Sequence, residues 1–449
     1  MALSDWSGLT MTETSLHGSF AVPGDKSISH RALIFSALCQ GKVTITGLSP
    51  AEDCQSTAQC MRELGLTITR DENEAGRYTV DSPGLQGLKA PAKLLDAGNS
   101  GTTIRVMSGL VAGRPFTSHF DGDASLRKRP MSRVLDLLAQ MGASVKFDEK
   151  QGCAPFSITG TKLTGREFNL SVASAQVQTA LLLAGLQAEG STSVTLPEVA
   201  RDHTLRMFKH MGVPFEEFAP NSIRVTKLEK VLNGFTIAVP ADISSAAFFM
   251  VAAACIRGSD VTLKNCGINP GRTLVIDVLK RMGAHLELVD AREVSGEPVA
   301  DIRVRYNGRL KGTTIGGGEV ASGVDEIPIL SIAGALCDGV FTVEGAEELR
   351  HKESDRLSLI TNNLRQIGAA VENREDGFVL TGQEKLPGGG AWATHLDHRM
   401  AMTGLIVNLI CEKPTQIEET ESPKISYPTF QQDLQSLLPP AVRQGTHPV

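Results

Sequence analysis

No stretch of this 449-residue chain is apolar for anything near the roughly 20 residues that a bilayer-crossing helix needs. Its first residues, MALSDWSGLTMTETSLHG, carry acidic side chains and neither a basic nor an apolar block, so no signal or transit peptide is expected and the chain reads as cytoplasmic. Positive charge is in deficit too. The 44 Lys and Arg stand against 50 Asp and Glu, a net charge of -6, which argues against nucleic acid or an anionic membrane as partner. An anion site, if present, must be a local exception. There is also no C-x-x-C and no ordered spacing of cysteine with histidine. Cys39, Cys54, Cys60, Cys153, Cys255, Cys266, Cys337 and Cys411 are scattered, the pattern of reduced buried thiols rather than of a disulfide framework or zinc site.

What is present is a repeat. The length predicts two domains of roughly 200 residues each. A Gly that closes an amphipathic helix before a strand recurs every 70 to 85 residues or about that, at Gly65, Gly142, Gly212, Gly283 and Gly368. Half a period earlier lies a second kind of helix, polar at its start and apolar on nearly every face afterwards, as a helix buried inside its domain must be. The six starts are Asp25-Lys-Ser27, Asn99-Ser-Gly-Thr102, Ser174-Ala-Gln176, Asp242-Ile-Ser-Ser245, Asp325-Glu326 and Asp397-His-Arg399. Strands are predicted at segments such as Val43–Thr46, Ser193–Leu196, Val261–Leu263 and Val340–Val343. Six units of two helices and several strands divide into two globules of three, with the boundary at Ala238-Val-Pro240. The last unit is incomplete: Phe430, Leu434, Leu437 and Leu438 make a helical stripe, and a frayed tail is expected from Pro439.

Helix starts gathered at one end of a globule would present unpaired N–H groups and about half a positive charge each, a setting for phosphates and carboxylates. Polar residues at helix starts are ordinary caps when taken singly. The cations among them carry more weight: Lys26 and Arg31 at the first start, Arg127, Lys128, Arg129 and Arg133 in the second unit, Arg201 in the third, Arg350, Lys352 and Arg356 in the fifth, Arg399 in the sixth. Arg forks suit bidentate anion binding, and Lys suits point-charge neutralisation and proton transfer. Asp325 and Glu353 stand amid these cations, and with Lys26 they form a candidate acid–base set.

These segments resemble the 5-enolpyruvylshikimate-3-phosphate synthase family, motif by motif over nearly the full length. The matches, in family order, are Gly24-Asp-Lys-Ser-Ile-Ser-His-Arg31, Gly98-Asn-Ser-Gly-Thr-Thr-Ile-Arg105, Gly122-Asp-Ala-Ser-Leu126 with Arg129-Pro130, Ser174-Ala-Gln176, Arg201-Asp-His203, Asp325-Glu326, Lys352-Glu-Ser-Asp-Arg356 and Asp397-His-Arg399. The resemblance implies an α/β fold of two inverse α/β barrels (an α-β prism) made of six βαβαββ repeats, three per domain. It implies that residues 1–24 and 241–449 form a discontinuous domain around an inserted domain of residues 25–240, with the N-terminal strand near Leu16 to Val22 joining the former and the active site in the interdomain cleft. The implied reaction moves the enolpyruvyl group of phosphoenolpyruvate to the 5-hydroxyl of shikimate 3-phosphate by addition and elimination, releasing phosphate.

By the same resemblance, Asp325 handles the 5-hydroxyl proton, and Glu353 or Lys26 the C3 proton. Phosphoenolpyruvate would bind Lys26, Gly101, Arg129, Gln176, Arg356 and Arg399. Shikimate 3-phosphate would bind Lys26, Ser27, Arg31, Ser174, Gln176, Arg201, Asp325 and Lys352. No metal or organic cofactor is implied, and the expected state is a monomer with small-molecule partners only. Two departures stand out: Ala175 where many members have a second Ser, and Ile425 where some place a Lys, Lys424 being out of register. Gly101 implies room for the inhibitor glyphosate, which a bulkier residue there would exclude. The alternatives are the sister enolpyruvyl transferase acting on UDP-N-acetylglucosamine and a non-catalytic phosphometabolite-binding protein. The sister enzyme usually has Lys-Asn in place of Lys26-Ser27 and a cysteine near Gly122 to Arg129, whereas this chain has none between Cys60 and Cys153. A sensor that only binds anions has no need of both Asp325 and Glu353.

Overall fold

The computed structural model describes residues 15–439, so the expectations for the first residues and for the tail beyond Pro439 fall outside the described residues. Apolar side chains sort into two separate cores, one drawn from residues between Ile28 and Val239, the other from Leu16, Val22 and residues from Ala241 onward. Backbone contacts divide the chain the same way. One unit is Gly24–Pro240 together with the short segment Glu293–Glu297; the other holds residues 15–23, Ala241–Arg292 and residues 298–439.

The first unit contains α1 (Lys26–Phe35), α2 (Glu52–Glu63), α3 (Gly101–Val111), α4 (Ser132–Gln140), α5 (Ala175–Gly185) and α6 (His203–Met211). Helices α1, α3 and α5 follow the polar starts read from the sequence. Asp25 caps α1 by accepting from Ile28 N at 2.9 Å, Ser100 caps α3 through Thr103 N at 3.1 Å, and Ser174 caps α5 through Val177 N at 3.4 Å. Beyond the caps α5 is buried from Val177 to Gly185, because a helix with apolar groups on all faces loses least when nothing of it meets water. Its amphipathic neighbour α6 ends at Gly212, whose φ of 77° is the left-handed conformation that costs Gly nothing. Gly65, Gly142, Gly283 and Gly368 likewise take positive φ at the ends of their helices.

Three sheets complete this unit. In one, Leu95–Asp96, Thr117–Asp121, Phe156–Thr159 and Ser144–Phe147 lie side by side, the first pair parallel and the others antiparallel. In another, Glu167–Asn169, Ser191–Thr195, Ser222–Thr226 and Glu216–Ala219 repeat that order and sense. The third centres on Cys39–Thr46, which pairs antiparallel with Tyr78–Pro83 and parallel with Leu232–Asn233 and Thr236–Ala238. Parallel neighbours need a crossover, which here is supplied by the buried helices α3 and α5.

The second unit contains α7 (Ile243–Cys255), α8 (Leu274–Arg281), the single turn α9 (Val320–Gly323), α10 (Ile327–Ala335), α11 (Arg356–Gln366), α12 (His398–Ile410) and α13 (Phe430–Leu437). Every residue of α10 is buried, as is Ile243 through Ala254 of α7. The stripe Phe430, Leu434 and Leu437 of α13 enters the core, where Phe430 packs edge-on against Phe248 with ring centroids 5.5 Å apart. The strand His17–Phe20 pairs in parallel with Asp260–Gly267 in this unit. A sheet of Thr314–Ile315, Val340–Val343, Phe378–Thr381 and Ala370–Asn373 repeats the order seen in the first unit, and Ala391–Trp392 pairs with Gln416–Ile417. One helix start differs from expectation: α10 begins at Ile327 with Glu326 in the cap position and Pro328 within the first turn, so Asp325 lies one residue outside. Pro favours the first turn because it has no N–H to leave unpaired, which sets the helix start just before it.

Candidate active site

In the first unit most of the candidate residues sit at or near the starts of α1, α3, α5 and α6. Lys26 opens α1 and its Nζ donates to Asp53 Oδ2 of α2 at 2.7 Å, both side chains largely buried. Asp53 is a partner that sequence reading did not single out, since an acid in the first turn of an amphipathic helix is unremarkable. One turn along α1, Arg31 is buried and donates from Nε to Thr204 Oγ1, from Nη1 to Ser27 O and from Nη2 to Thr179 Oγ1, at 2.8, 3.0 and 3.1 Å. Its guanidinium thus ties α1 to α5 and α6. Between Lys26 and Arg31 lies His30, also buried. Burial, and then the charges of Lys26 and Arg31, push its pKa down to about 3, so it is neutral at physiological pH.

Gly101 begins α3 at the end of the turn Gly98–Gly101, and this turn engages Arg129. Arg129 Nη2 donates to Asn99 Oδ1 at 2.9 Å, and Asn99 Nδ2 in turn donates to Asp123 at 2.7 Å. A Cβ added at Gly101 would lie 2.7 Å from Arg105 Nη1 and 3.6 Å from Arg129 Nη1. Gln176 on α5 is oriented from both ends by α3: its Oε1 accepts from Arg105 Nη1 and its Nε2 donates to Thr102 Oγ1, each at 2.9 Å. Ser174, Gln176 and Arg201, at the entries to α5 and α6, are half-buried, and Ala175 occupies the first position of α5. The cation run is divided in its use. Arg127 forms ion pairs with Asp121 and Glu149 near the surface, while Arg129 belongs to the Gly98–Gly101 turn.

In the second unit the centre is Arg356, the first residue of α11, whose side chain is 1 % exposed. Its Nε and Nη2 fork onto Asp397 at 2.8 and 3.2 Å, its Nη1 donates to Asp325 Oδ1 at 3.2 Å, and Nη2 also reaches Glu353 Oε2 at 2.6 Å. Burial would lower the pKa of such a guanidinium, but Asp397, Glu353 and Asp325 together raise it beyond its usual value, so the charge is permanent. Arg399 Nε stands 3.7 Å from Asp325, making a cluster of two cations and three carboxylates that is buried at Arg356 and Asp397 and partly exposed at Asp325 and Glu353. Asp397 also caps α12 by accepting from Arg399 N at 3.0 Å, and accepts from Ser354 Oγ at 2.9 Å. Reading Asp397 only as a cap misses its part in holding Arg356. Lys352 lies near the surface and donates to Glu348 at 2.5 Å. Lys424 pairs with Glu421.

Before α12 the chain makes a strained turn. His395 and Leu396 have φ of 49° and 61°, both left-handed. Glu418 Oε2 accepts from Thr394 N and His395 N at 2.7 and 2.8 Å, and these backbone bonds, that from His395 first, hold its carboxyl below the usual range.

The family model for EPSP synthase (3-phosphoshikimate 1-carboxyvinyltransferase) matches residues 11–434. A 3-phosphoshikimate 1-carboxyvinyltransferase of Synechococcus sp. (strain RCC307) is 48 % identical over 430 residues, covering 94 % of this chain and 97 % of its own. The protein of that name from Bacillus velezensis is 44 % identical over 424 residues, with 94 % and 98 % covered. Among solved structures, EPSP synthase from Acinetobacter baumannii superposes with a TM-score of 0.85 at 42 % identity, covering 95 % of this chain and 96 % of that one. The enolpyruvyl transferase NikO from Streptomyces tendae shares the fold, at a TM-score of 0.77, with 16 % identity over 95 % of this chain and 96 % of its own. The mixed α/β architecture and near full-length identity lead to one assignment: the chain belongs to the EPSP synthase family.

Proposed function

We propose that this chain carries out the reaction of its family, transferring the enolpyruvyl group of phosphoenolpyruvate to the 5-hydroxyl of shikimate 3-phosphate in the shikimate pathway toward chorismate. The observation that carries the residue assignment is the pairing of Asp325 and Glu353 with one buried guanidinium, Arg356, at 3.2 and 2.6 Å. Anion binding calls for cations alone, whereas addition followed by elimination calls for groups that take and give protons. In this reading Asp325 takes the 5-hydroxyl proton as the oxygen attacks C2 of phosphoenolpyruvate, and Glu353 or Lys26 delivers a proton to C3. The tetrahedral intermediate then loses that C3 proton, the C2–O bond to phosphate breaks, and the enol ether remains. Lys26, Gly101, Arg129, Gln176, Arg356 and Arg399 bind phosphoenolpyruvate, and Lys26, Ser27, Arg31, Ser174, Gln176, Arg201, Asp325 and Lys352 bind the sugar phosphate. The charge of both substrates is balanced by protein groups preorganised before they arrive, the arrangement that stabilises developing charge at least cost.

The finer architecture belongs to the same reading: two inverse α/β barrels with three βαβαββ repeats each, residues 1–24 and 241–449 forming one and residues 25–240 the other. Both units contribute residues to the one reaction. The order of one parallel and two antiparallel neighbours, which recurs in three of the four-stranded sheets, supports the repeat. The test is phosphate release by the purified chain, which should require both substrates. Release with phosphoenolpyruvate alone, or turnover with UDP-N-acetylglucosamine in place of shikimate 3-phosphate, would overturn the assignment.

A further inference from the structure

Helix α2 supplies no residue to the ligand sets above, yet one face of it touches both α1 and the turn before α3. Asp53 holds Lys26, as described. A Cβ on Gly98, a residue with φ of 56°, would lie 2.9 Å from Ser56 Oγ, so that turn rests directly on α2. Thr57, one helical turn after Asp53, joins a buried hydrogen-bond chain. Its Oγ1 lies 2.7 Å from His30 Nδ1 and 2.6 Å from Thr103 Oγ1, and Thr103 Oγ1 donates to Ser100 Oγ at 2.7 Å. His30, Thr57, Thr103 and Ser100 are all at most 2 % exposed, so water does not substitute for any of these bonds.

Proton counting gives the chain a direction. A hydroxyl has one hydrogen to donate. Thr103 spends its hydrogen on Ser100 Oγ, so the bond between the two threonines is donated by Thr57. Asp53 O, at 3.4 Å from Thr57 Oγ1, is too distant an acceptor to compete with the 2.6 Å bond, so Thr57 has no hydrogen left for His30, and His30 Nδ1 is the donor. Every hydrogen therefore points from α1 toward Ser100, the cap of α3, whose Oγ also accepts from Thr103 N at 3.1 Å.

We propose that the His30–Thr57–Thr103–Ser100 chain positions the Gly98–Gly101 turn relative to Lys26 and so sets the affinity for phosphoenolpyruvate. These are positioning residues, since none is assigned a contact with substrate. The proposal rests on the phosphoenolpyruvate reading of Lys26, Gly101 and Arg129. Cutting the chain frees Ser100 and the turn to shift against α2, and Asn99, which holds Arg129, shifts with it. The sugar-phosphate residues Arg31 and Ser174 have separate supports in α5 and α6 and should feel little.

The variants are Thr57→Val and Thr103→Val, which keep volume and remove the hydroxyl, with Thr57→Ser and Thr103→Ser as conservative controls. Both Val variants are expected to raise KM for phosphoenolpyruvate about tenfold while KM for shikimate 3-phosphate changes less than about twofold. The Ser variants should stay near wild type, and the double Val variant should lose no more than either single one, because one chain is cut once. A merely structural role would lower the active fraction, and with it apparent kcat, without splitting the two KM values. Unchanged KM values, both KM values rising together, or a double variant that loses the product of the single effects would overturn the proposal. Absence of turnover in the wild type would instead defeat the functional reading. Nitrogen-15 NMR of selectively labelled histidine, with His30→Gln to assign the signal, gives a readout independent of turnover: His30 should be neutral and protonated on Nδ1, and an Nε2–H tautomer would contradict the direction of the chain.

Discussion

Replacing Arg356 by Met should destabilise the unit containing it severely. The substitution keeps the buried stem and removes the guanidinium that four hydrogen bonds tie to Asp397, Asp325 and Glu353. Breaking a buried ion pair from one side costs about 3–5 kcal/mol, since the remaining charge is left in a poor solvent. The three carboxylates do not share that cost equally. The side chains of Asp325 and Glu353 are 17 % and 21 % exposed and can rehydrate, whereas that of Asp397 is 0 % exposed. Asp397 retains the N–H of Arg399 and the hydroxyl of Ser354, which places the expected loss near the lower end, about 3 kcal/mol. Urea unfolding midpoints of wild type and variant at pH 7 measure this, and a deficit below about 1 kcal/mol would refute the electrostatic account.

The other perturbations are simpler. His30 has a folded pKa of about 3 against 6.5 unfolded, so between those values the unfolded chain binds more protons and stability falls with falling pH. This group alone should cost about 2 kcal/mol between pH 7 and pH 5, which His30→Gln should abolish; parallel stability curves would count against it. Glyphosate should compete with phosphoenolpyruvate, and Gly101→Ala, whose methyl group must displace Arg105 at 2.7 Å, should weaken inhibition about tenfold in initial-rate assays. Equal inhibition of both proteins would mean that the pocket has another shape. Leu396→Gly should raise thermal stability by up to about 1 kcal/mol, because Leu396 is 72 % exposed and held at a left-handed φ of 61°. A clear loss of stability would show that the Leu side chain does more than tolerate that conformation.

The helix starts were legible because Asp25, Ser100, Ser174, Asp242 and Asp397 cap their helices through local hydrogen bonds that depend only on neighbours in sequence. The closing glycines were legible for the same reason. What the sequence concealed are partners distant along the chain. Nothing local distinguishes Asp53 from any first-turn acid, and only packing of α2 on α1 brings it to Lys26. The cation pattern marked Arg356 as a candidate anion ligand without showing that three carboxylates of its own chain already surround it. Asp325 was read as opening its helix, yet the Pro at 328 sets that start one residue later and leaves Asp325 to face Arg356. The grouping of Glu293–Glu297 with the first unit was also hidden: Ser295-Gly296 reads only as a turn between the strands His285–Val294 and Glu297–Arg305, and it is the distant Arg206, whose Nη1 donates to Gly296 O at 3.1 Å, that ties it to that unit.

If Lys26 and Glu353 take part in proton transfer, replacing either must slow the chemistry itself even when both substrates are bound. The measurement is single-turnover phosphate release from phosphoenolpyruvate and shikimate 3-phosphate at saturating substrate, compared among wild type, Lys26→Met and Glu353→Gln. Wild type should release phosphate and each variant should be slower by at least about a hundredfold, the low end of what a positioned proton-transfer group contributes. Equal release by all three would contradict that role.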